Sequence, residues 1–207
     1  MNTPATRRIT TLVLVLLLVA CGQPERYVPA NGDIVFHTSH STQSAMIQQV
    51  THSPYSHMGI VHLINNEAYV FEAVEPVRST SLSDWIARGA GRHYVAMRLK
   101  DADKLLTPDA MGRMEQVAER FRGKHYDARF AWSDDQLYCS ELVWKIYKRA
   151  LDIEIGTPQA LADLDLSDPA VAAELRRRWH GSPPLQQTVI SPEAIFQSPL
   201  LVQVYQQ

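Results

Sequence analysis

The spacing of apolar and polar positions changes several times along the chain, and each change predicts an element. Asp33–His37 follows Asn31-Gly32 and reads as a short strand after a turn. Ser41–Val50 carries Ala45, Met46, Ile47 and Val50 among polar residues, which predicts a short helix with Ser or Thr at its start. His57–Ile64 and Ala68–Val74 are both rich in strand-forming residues. Asn65-Asn66 between them tolerates positive φ, so the pair predicts a hairpin. Ser83 precedes a segment ending at Gly89 and predicts a helix of one to two turns capped by Ser83. His93–Leu99 alternates as a further strand. Thr107-Pro108 opens a helix whose face is Ala110, Met111, Met114, Val117, Ala118 and Phe121, with Gly123 as its stop. Tyr126–Trp132 reads as extended and leads into Ser133-Asp134-Asp135, capping residues for the helix that follows.

That helix, within Gln136–Ala150, has the clearest buried stripe: Leu142, Val143, Ile146, Tyr147 and Ala150. Lys145, Lys148 and Arg149 fall off the stripe, near the end where the helix dipole favours cations. Cys139 lies in the first turn, on the buried side. A thiol there feels the positive end of the dipole, which favours the thiolate. A buried free Cys is also an ordinary small hydrophobe, so position alone leaves both roles open. Beyond Ile155-Gly156 the pattern weakens. Pro169–His180 reads as a helix, Val189-Ile190 as a strand, and Ser191-Pro192-Glu193 as the cap of a short helix. The segment Ile155–Ser182 has the look of an insertion and is expected to cover the cleft.

With 207 residues, 45% apolar and 20% charged, the chain suits one domain with a sizeable core. A net charge of −2 gives no footprint for nucleic acid. The first twenty residues stand apart. Arg7 and Arg8 precede the apolar run Leu12–Ala20, which is short for a bilayer span and reads as a secretory signal peptide. The run ends Leu18-Val19-Ala20-Cys21-Gly22, which resembles a bacterial lipobox. That resemblance implies cleavage before Cys21, lipidation of Cys21 and a lipid-anchored protein of the bacterial cell envelope, facing the periplasm. Residues 21–31 then form a tether, and residues 32–207 one domain. With Cys21 acylated, Cys139 has no disulfide partner, and an unpaired thiol in an oxidising compartment is buried or used.

A cysteine nucleophile needs a base, and the base an orienting partner. His57 begins a strand, and Gly59 on the same face leaves room above it. The loop length decides what His57 meets. With a two-residue Asn65-Asn66 loop, Ile64 faces Glu67, and Glu72 lies diagonal to His57, roughly 7–8 Å between Cα positions. A four-residue loop sets Glu72 directly opposite His57. A three-residue loop sends Glu72 to the other face. A carboxylate on one imidazole nitrogen fixes the tautomer and leaves the other nitrogen for Cys139. The cluster His37, His40, His52, His57 and His62 matches no metal-ligand spacing. Ser140 lacks the Gly-x-Ser-x-Gly elbow of a serine hydrolase.

Six segments, in order, carry a resemblance: Gly32–Phe36, Ser53–Ile60, Phe71-Glu72-Ala73, Tyr126-Asp127, Tyr138–Val143 and Ile190-Ser191-Pro192. Together they resemble the permuted papain-like cysteine hydrolases of the NlpC type, and among them the YiiX/YebB-like group. The resemblance implies an α+β fold, a Cys-bearing helix packed on an antiparallel sheet that bears the His. It implies a catalytic set Cys139, His57 and Glu72, with no cofactor and no metal. The reaction class is amide hydrolysis through an acyl-enzyme, on a peptide or acyl-amide substrate in the envelope such as a cell-wall peptide. Relatives with unpermuted chains carry an Asp before the Cys; here that position is Tyr138. Tyr138, Tyr55 and Ser140 are candidates for the oxyanion or substrate side. Two other readings stay open. One is a hydrolase or acyltransferase acting on lipid acyl esters or amides. The other is a non-catalytic lipoprotein that binds a peptide or amino acid.

Overall fold

The computed structural model describes residues 27–207. The expected signal peptide and Cys21 fall outside the described residues. Six strands form one antiparallel sheet in the order β10-β5-β1-β2-β3-β4. They are β1 (Ile34–Ser39), β2 (His57–Ile64), β3 (Glu67–Glu72), β4 (Arg78–Ser81), β5 (Gly89–Leu99) and, after four short strands, β10 (Leu201–Gln206). Of those short strands, β6 (His125–Tyr126) pairs with β7 (Gln136–Leu137), and β8 (Gln159–Ala160) with β9 (Thr188–Val189). The helices are α1 (Thr42–Thr51), α2 (Leu82–Arg88), α3 (Ala102–Leu105), α4 (Pro108–Glu119), α5 (Cys139–Leu151), α6 (Pro169–Trp179) and α7 (Pro192–Phe196).

The period-2 pattern of the strands sorts the core into two layers. Ile34, Phe36, Met58, Ile60 and Phe71 face the layer of α4 and α5, where they meet Met114, Leu142, Val143, Ile146 and Tyr147. Val35, Val61 and Val70 face the opposite layer, where α2 contributes Leu82 and Trp85. Each such side chain taken fully out of water contributes about 1.5–3 kcal/mol, so the α5 stripe alone anchors the helix firmly to the sheet. The Tyr147 hydroxyl adds a buried hydrogen bond to the carbonyl of Gly32, just ahead of β1.

The hairpin forms as the two-residue loop requires. Ile64 pairs with Glu67 and Ile60 with Phe71, and Asn65 and Asn66 take φ of 51° and 67°. This register sets Glu72 across from Gly59. A Cβ on Gly59 would lie 2.4 Å from Val70 Cγ1 and 2.8 Å from the Phe71 carbonyl oxygen, so only glycine fits.

Several sequence expectations are corrected. Ser81, not Ser83, caps α2: its Oγ accepts the Asp84 N–H at 3.2 Å, and Leu82 joins the helix because it packs into the core. The segment 126–132 is not extended beyond β6. Asp127 Oδ1 accepts the Arg129 N–H and Phe130 takes φ of 56°, which curls the chain. Ser133-Asp134-Asp135 does not cap α5; Tyr138 holds that position, and its N–H meets Glu141 Oε2 at 3.4 Å. Asp134 instead takes Lys145 and Arg149. Lys145 is itself buried, because it turns back over Trp132 toward Glu141. Helix α4 ends at Glu119, and Gly123 (φ 78°) serves the turn beyond it. Strands β4 and β10 carry no clear period in the sequence.

Candidate active site

His57 is the first residue of β2, Cys139 the first of α5 and Glu72 the last of β3. The three therefore gather at one end of the sheet. His57 pairs in register with His37 of β1, which fixes its backbone from the β1 side. His57 Nε2 lies 2.7 Å from Glu72 Oε2. That contact occupies Nε2 and leaves Nδ1 unclaimed, with the Cys139 thiol close enough to act on the ring. His57, Glu72 and Cys139 are all buried.

Glu72 has more partners than the sequence suggested. Thr80 Oγ1 donates to its Oε1 at 2.6 Å, and Arg88 Nη2 donates to the same oxygen. Burial acts against the charge, but His57, then Thr80 and Arg88, outweigh it and hold the carboxyl down at about 2. Burial also works against a charged His57. The hydrogen bond to Cys139 and those of Glu72 overcome it and push the imidazole up to about 9. An imidazolium at neutral pH is the partner a reactive thiolate needs.

Behind His57 stands a neutral wall. The His37 ring stacks on Trp85 at 4.0 Å between centroids and lies 5.3 Å from the His57 ring. Burial first, and then the nearby charge of His57, push His37 down to about 3. One imidazole is kept uncharged so that only the other carries the proton.

On the far side, the Tyr126 hydroxyl accepts from Gln43 Nε2 at 2.6 Å. Burial, followed by the charge of Cys139, raises its pKa far above the ordinary value, so the phenol keeps its proton. Tyr126 belongs to a segment singled out in the sequence, yet its nearness to Cys139 follows from β6 pairing with β7 immediately before α5. Thr80 and Arg88 had no signal in the sequence. They reach Glu72 only because β4 pairs with β3 and α2 folds back over the sheet.

The other candidates sit as follows. Tyr138 accepts the Ile190 N–H on its hydroxyl at 3.0 Å, and Ser140 Oγ donates to the Ile190 carbonyl at 2.7 Å. The two stitch the start of α5 to Ile190, directly after β9. Tyr55 packs between Phe36 and Phe196, at 5.8 and 4.5 Å between ring centroids. The first N–H groups of α5 have no partner within the helix. Cys139 also lines an apolar slot whose wall includes Leu161, Leu164, Leu166, Val171 and Leu175. The Ile155–Ser182 segment therefore lies on the Cys139 side of the molecule.

Comparison with known proteins gives the family. The YiiX protein of Escherichia coli strain K12 (uncharacterized by its given name) is 43% identical over 192 residues, 93% of this chain and 94% of that one. The crystal structure of the metalloprotein YiiX from Escherichia coli O157:H7 matches with a TM-score of 0.83 at 45% identity. The match covers 87% of this chain and 99% of that chain. Among the described residues of the present chain, no three His, Cys, Asp or Glu side chains gather in a way that could hold a metal ion. Residues 28–205 match the permuted papain-like amidases of the YaeF/YiiX, C92 family. A cysteine hydrolase of the amidase kind is thus what the sequence encodes: the chain belongs to the permuted papain-like YaeF/YiiX amidase family.

Proposed function

We propose that the protein is an envelope amidase that works through Cys139, His57 and Glu72 and is anchored by a lipid on Cys21. The observation that carries the reading is the placement of His57, held on Glu72 through Nε2 beside the buried Cys139 thiol. In this mechanism His57 takes the thiol proton of Cys139 and leaves a thiolate. The thiolate attacks the amide carbonyl. The N–H groups at the start of α5 and the Tyr126 hydroxyl receive the developing oxyanion. Gln43 supports this by occupying a lone pair of Tyr126 and leaving the phenolic proton to point outward. As the C–N bond breaks, His57 gives its proton to the leaving amine. Water, deprotonated by His57, then opens the thioester and frees the acid. Glu72 stays ionised throughout and fixes the tautomer. Tyr138 and Ser140 hold the oxyanion end of α5 in place through Ile190, and Tyr55 stands on the substrate side.

The test is the alkylation rate of Cys139 by iodoacetamide, read at that residue by peptide mass from pH 5 to 10. In the wild-type protein the rate changes little between pH 6 and 8. In His57→Ala it is at least tenfold lower at pH 7 and climbs steeply with pH, on the order expected for an unassisted thiol. Identical profiles would make Cys139 a structural thiol and remove the basis for this mechanism.

A further inference from the structure

The two ends of the large sheet are built differently. Cys139, His57 and Glu72 gather where β2 begins and β3 ends. The opposite end is where β2 and β5 finish and β1, β3 and β10 begin. Seven large apolar side chains are exposed among the described residues, and six of them lie at that opposite end. Leu63 and Ile64 close β2, Leu105 ends α3 just after β5, and Leu200 and Val202 flank the start of β10. Val28, 75% exposed, lies over Arg98, whose Nη2 donates to the Val28 carbonyl and whose partner across the ladder is Val202. A single exposed Leu or Val is ordinary on a protein surface. Their gathering at one end of the sheet marks a surface that meets something apolar.

The chain runs into β1 from this same end and is pinned there. The Tyr27 hydroxyl donates to Asp33 Oδ2 at 2.7 Å, the Ala30 N–H donates to the same oxygen at 2.9 Å, and Arg98 Nε donates to Oδ1 at 2.6 Å. The Tyr27 ring stacks on Tyr205 at 5.4 Å between centroids. Residues 27–33 therefore supply no slack. Five residues separate Tyr27 from Cys21, so the two Cα atoms lie at most about 20 Å apart. A lipid on Cys21 keeps Tyr27 within reach of the bilayer. Resting on the proposed anchor at Cys21, we infer that this end of the sheet docks on the bilayer surface, with Val28, Leu63, Ile64, Leu105, Leu200 and Val202 entering its interfacial layer. Strand β2, 8 residues long, sets His57 about 23 Å from Ile64. Docked in this way, the protein holds Cys139 clear of the membrane, and the amide reaches it from the aqueous side.

The test uses the full chain, purified from membranes and placed in vesicles of mixed phosphatidylethanolamine and phosphatidylglycerol. In a Cys139→Ser background, a bimane label is attached at Ile64→Cys, at Val202→Cys or at His40→Cys, an exposed position at the other end of the sheet. Its quenching by lipids brominated high in the acyl chain is read. Quenching at Ile64→Cys and Val202→Cys should exceed that at His40→Cys on the order of threefold. A mass spectrum of the N-terminal peptide reports the lipid on Cys21 separately. A lipidated protein that floats with the vesicles but is quenched equally at all three positions leaves the anchor standing and overturns the docking face. Strongest quenching at His40→Cys overturns it as well. A chain without lipid on Cys21 that is still quenched at Ile64→Cys and Val202→Cys supports the face and overturns the anchor, and one that neither floats nor is quenched overturns both. Light scattering in detergent covers the other occupant: a dimer that Ile64→Asp converts to a monomer assigns this face to a second copy and overturns the bilayer reading.

Discussion

Two fully buried glutamates, Glu72 and Glu141, lie close to the same cysteine and are pushed in opposite directions. Glu72 is held at about 2, whereas Glu141 is raised to about 7. Burial is the largest influence on both and disfavours the charge in both. The difference lies in the company. Glu72 has His57 on one oxygen and Thr80 with Arg88 on the other. Glu141 has the Tyr138 N–H at 3.4 Å and Lys145 at 2.7 Å from Oε1, close enough for an ion contact but without the alignment of a hydrogen bond. Lys145 is also divided between Asp134 and the Ser133 carbonyl. A buried carboxylate remains charged when both oxygens are aligned with donors, and edges toward the neutral acid when a shared cation is its main support.

The sharpest way to break this contrast is to make each an amide. Glu72→Gln should lower kcat/KM on an activated acyl ester on the order of 10³-fold while the protein stays folded, since an amide no longer fixes the tautomer of His57. Glu141→Gln should stay within about threefold, because it orients α5 without touching the base. Comparable losses in steady-state kinetics of the two variants would mean that the pair are not divided into chemistry and scaffold.

The next effect is on stability, and the signs differ. Glu72 has a folded-state pKa below its unfolded value of 4.5, so its contribution, about 3 kcal/mol, is present above pH 4.5 and disappears as pH falls toward 2. Glu141 binds its proton more tightly when folded, so the protein loses up to about 3 kcal/mol as pH rises from 4.5 through 7. Urea unfolding from pH 3 to 8 reads both limbs. Each Gln variant should erase its own limb and leave the other.

The smallest effect concerns Arg88, whose side chain is 39% exposed. Such a cation contributes less than a buried one. Arg88→Ala should cost about tenfold in kcat/KM and move the acid limb of the pH–rate profile upward, as Glu72 becomes easier to protonate. Arg88→Lys should restore most of both. A lower rate with an unmoved acid limb would reduce Arg88 to a packing residue.

How much of this was readable beforehand follows from where the signals are local. The Asn65-Asn66 loop and the strand period made the hairpin legible and, for an even loop, the meeting of His57 and Glu72, because both depend on neighbours in sequence. The stripe of α5 likewise placed Cys139 at a helix start. Thr80, Arg88 and the His37–Trp85 stack were not readable. Each depends on pairing across β4 or on α2 folding over the sheet, and β4 (Arg-Ser-Thr-Ser) is polar throughout because it forms the sheet edge. Lys145 was misread for a similar reason. Helical spacing set it on the solvent side, whereas Glu141, one turn earlier, and the 132–134 loop draw it in. The use of Ser133 and Asp134 as partners for Lys145 and Arg149, rather than as caps, has the same non-local origin.

One feature of the layout reaches beyond the native site. His57 and Cys139 stand 82 positions apart and become neighbours only when α5 docks against β2. As the chain is synthesised, the base strand emerges long before the thiol, and contacts across so many residues form late in folding. A nascent or half-folded copy therefore carries a cysteine without its imidazole. On the proposed mechanism, the pair that does the chemistry exists only once α5 has docked against β2.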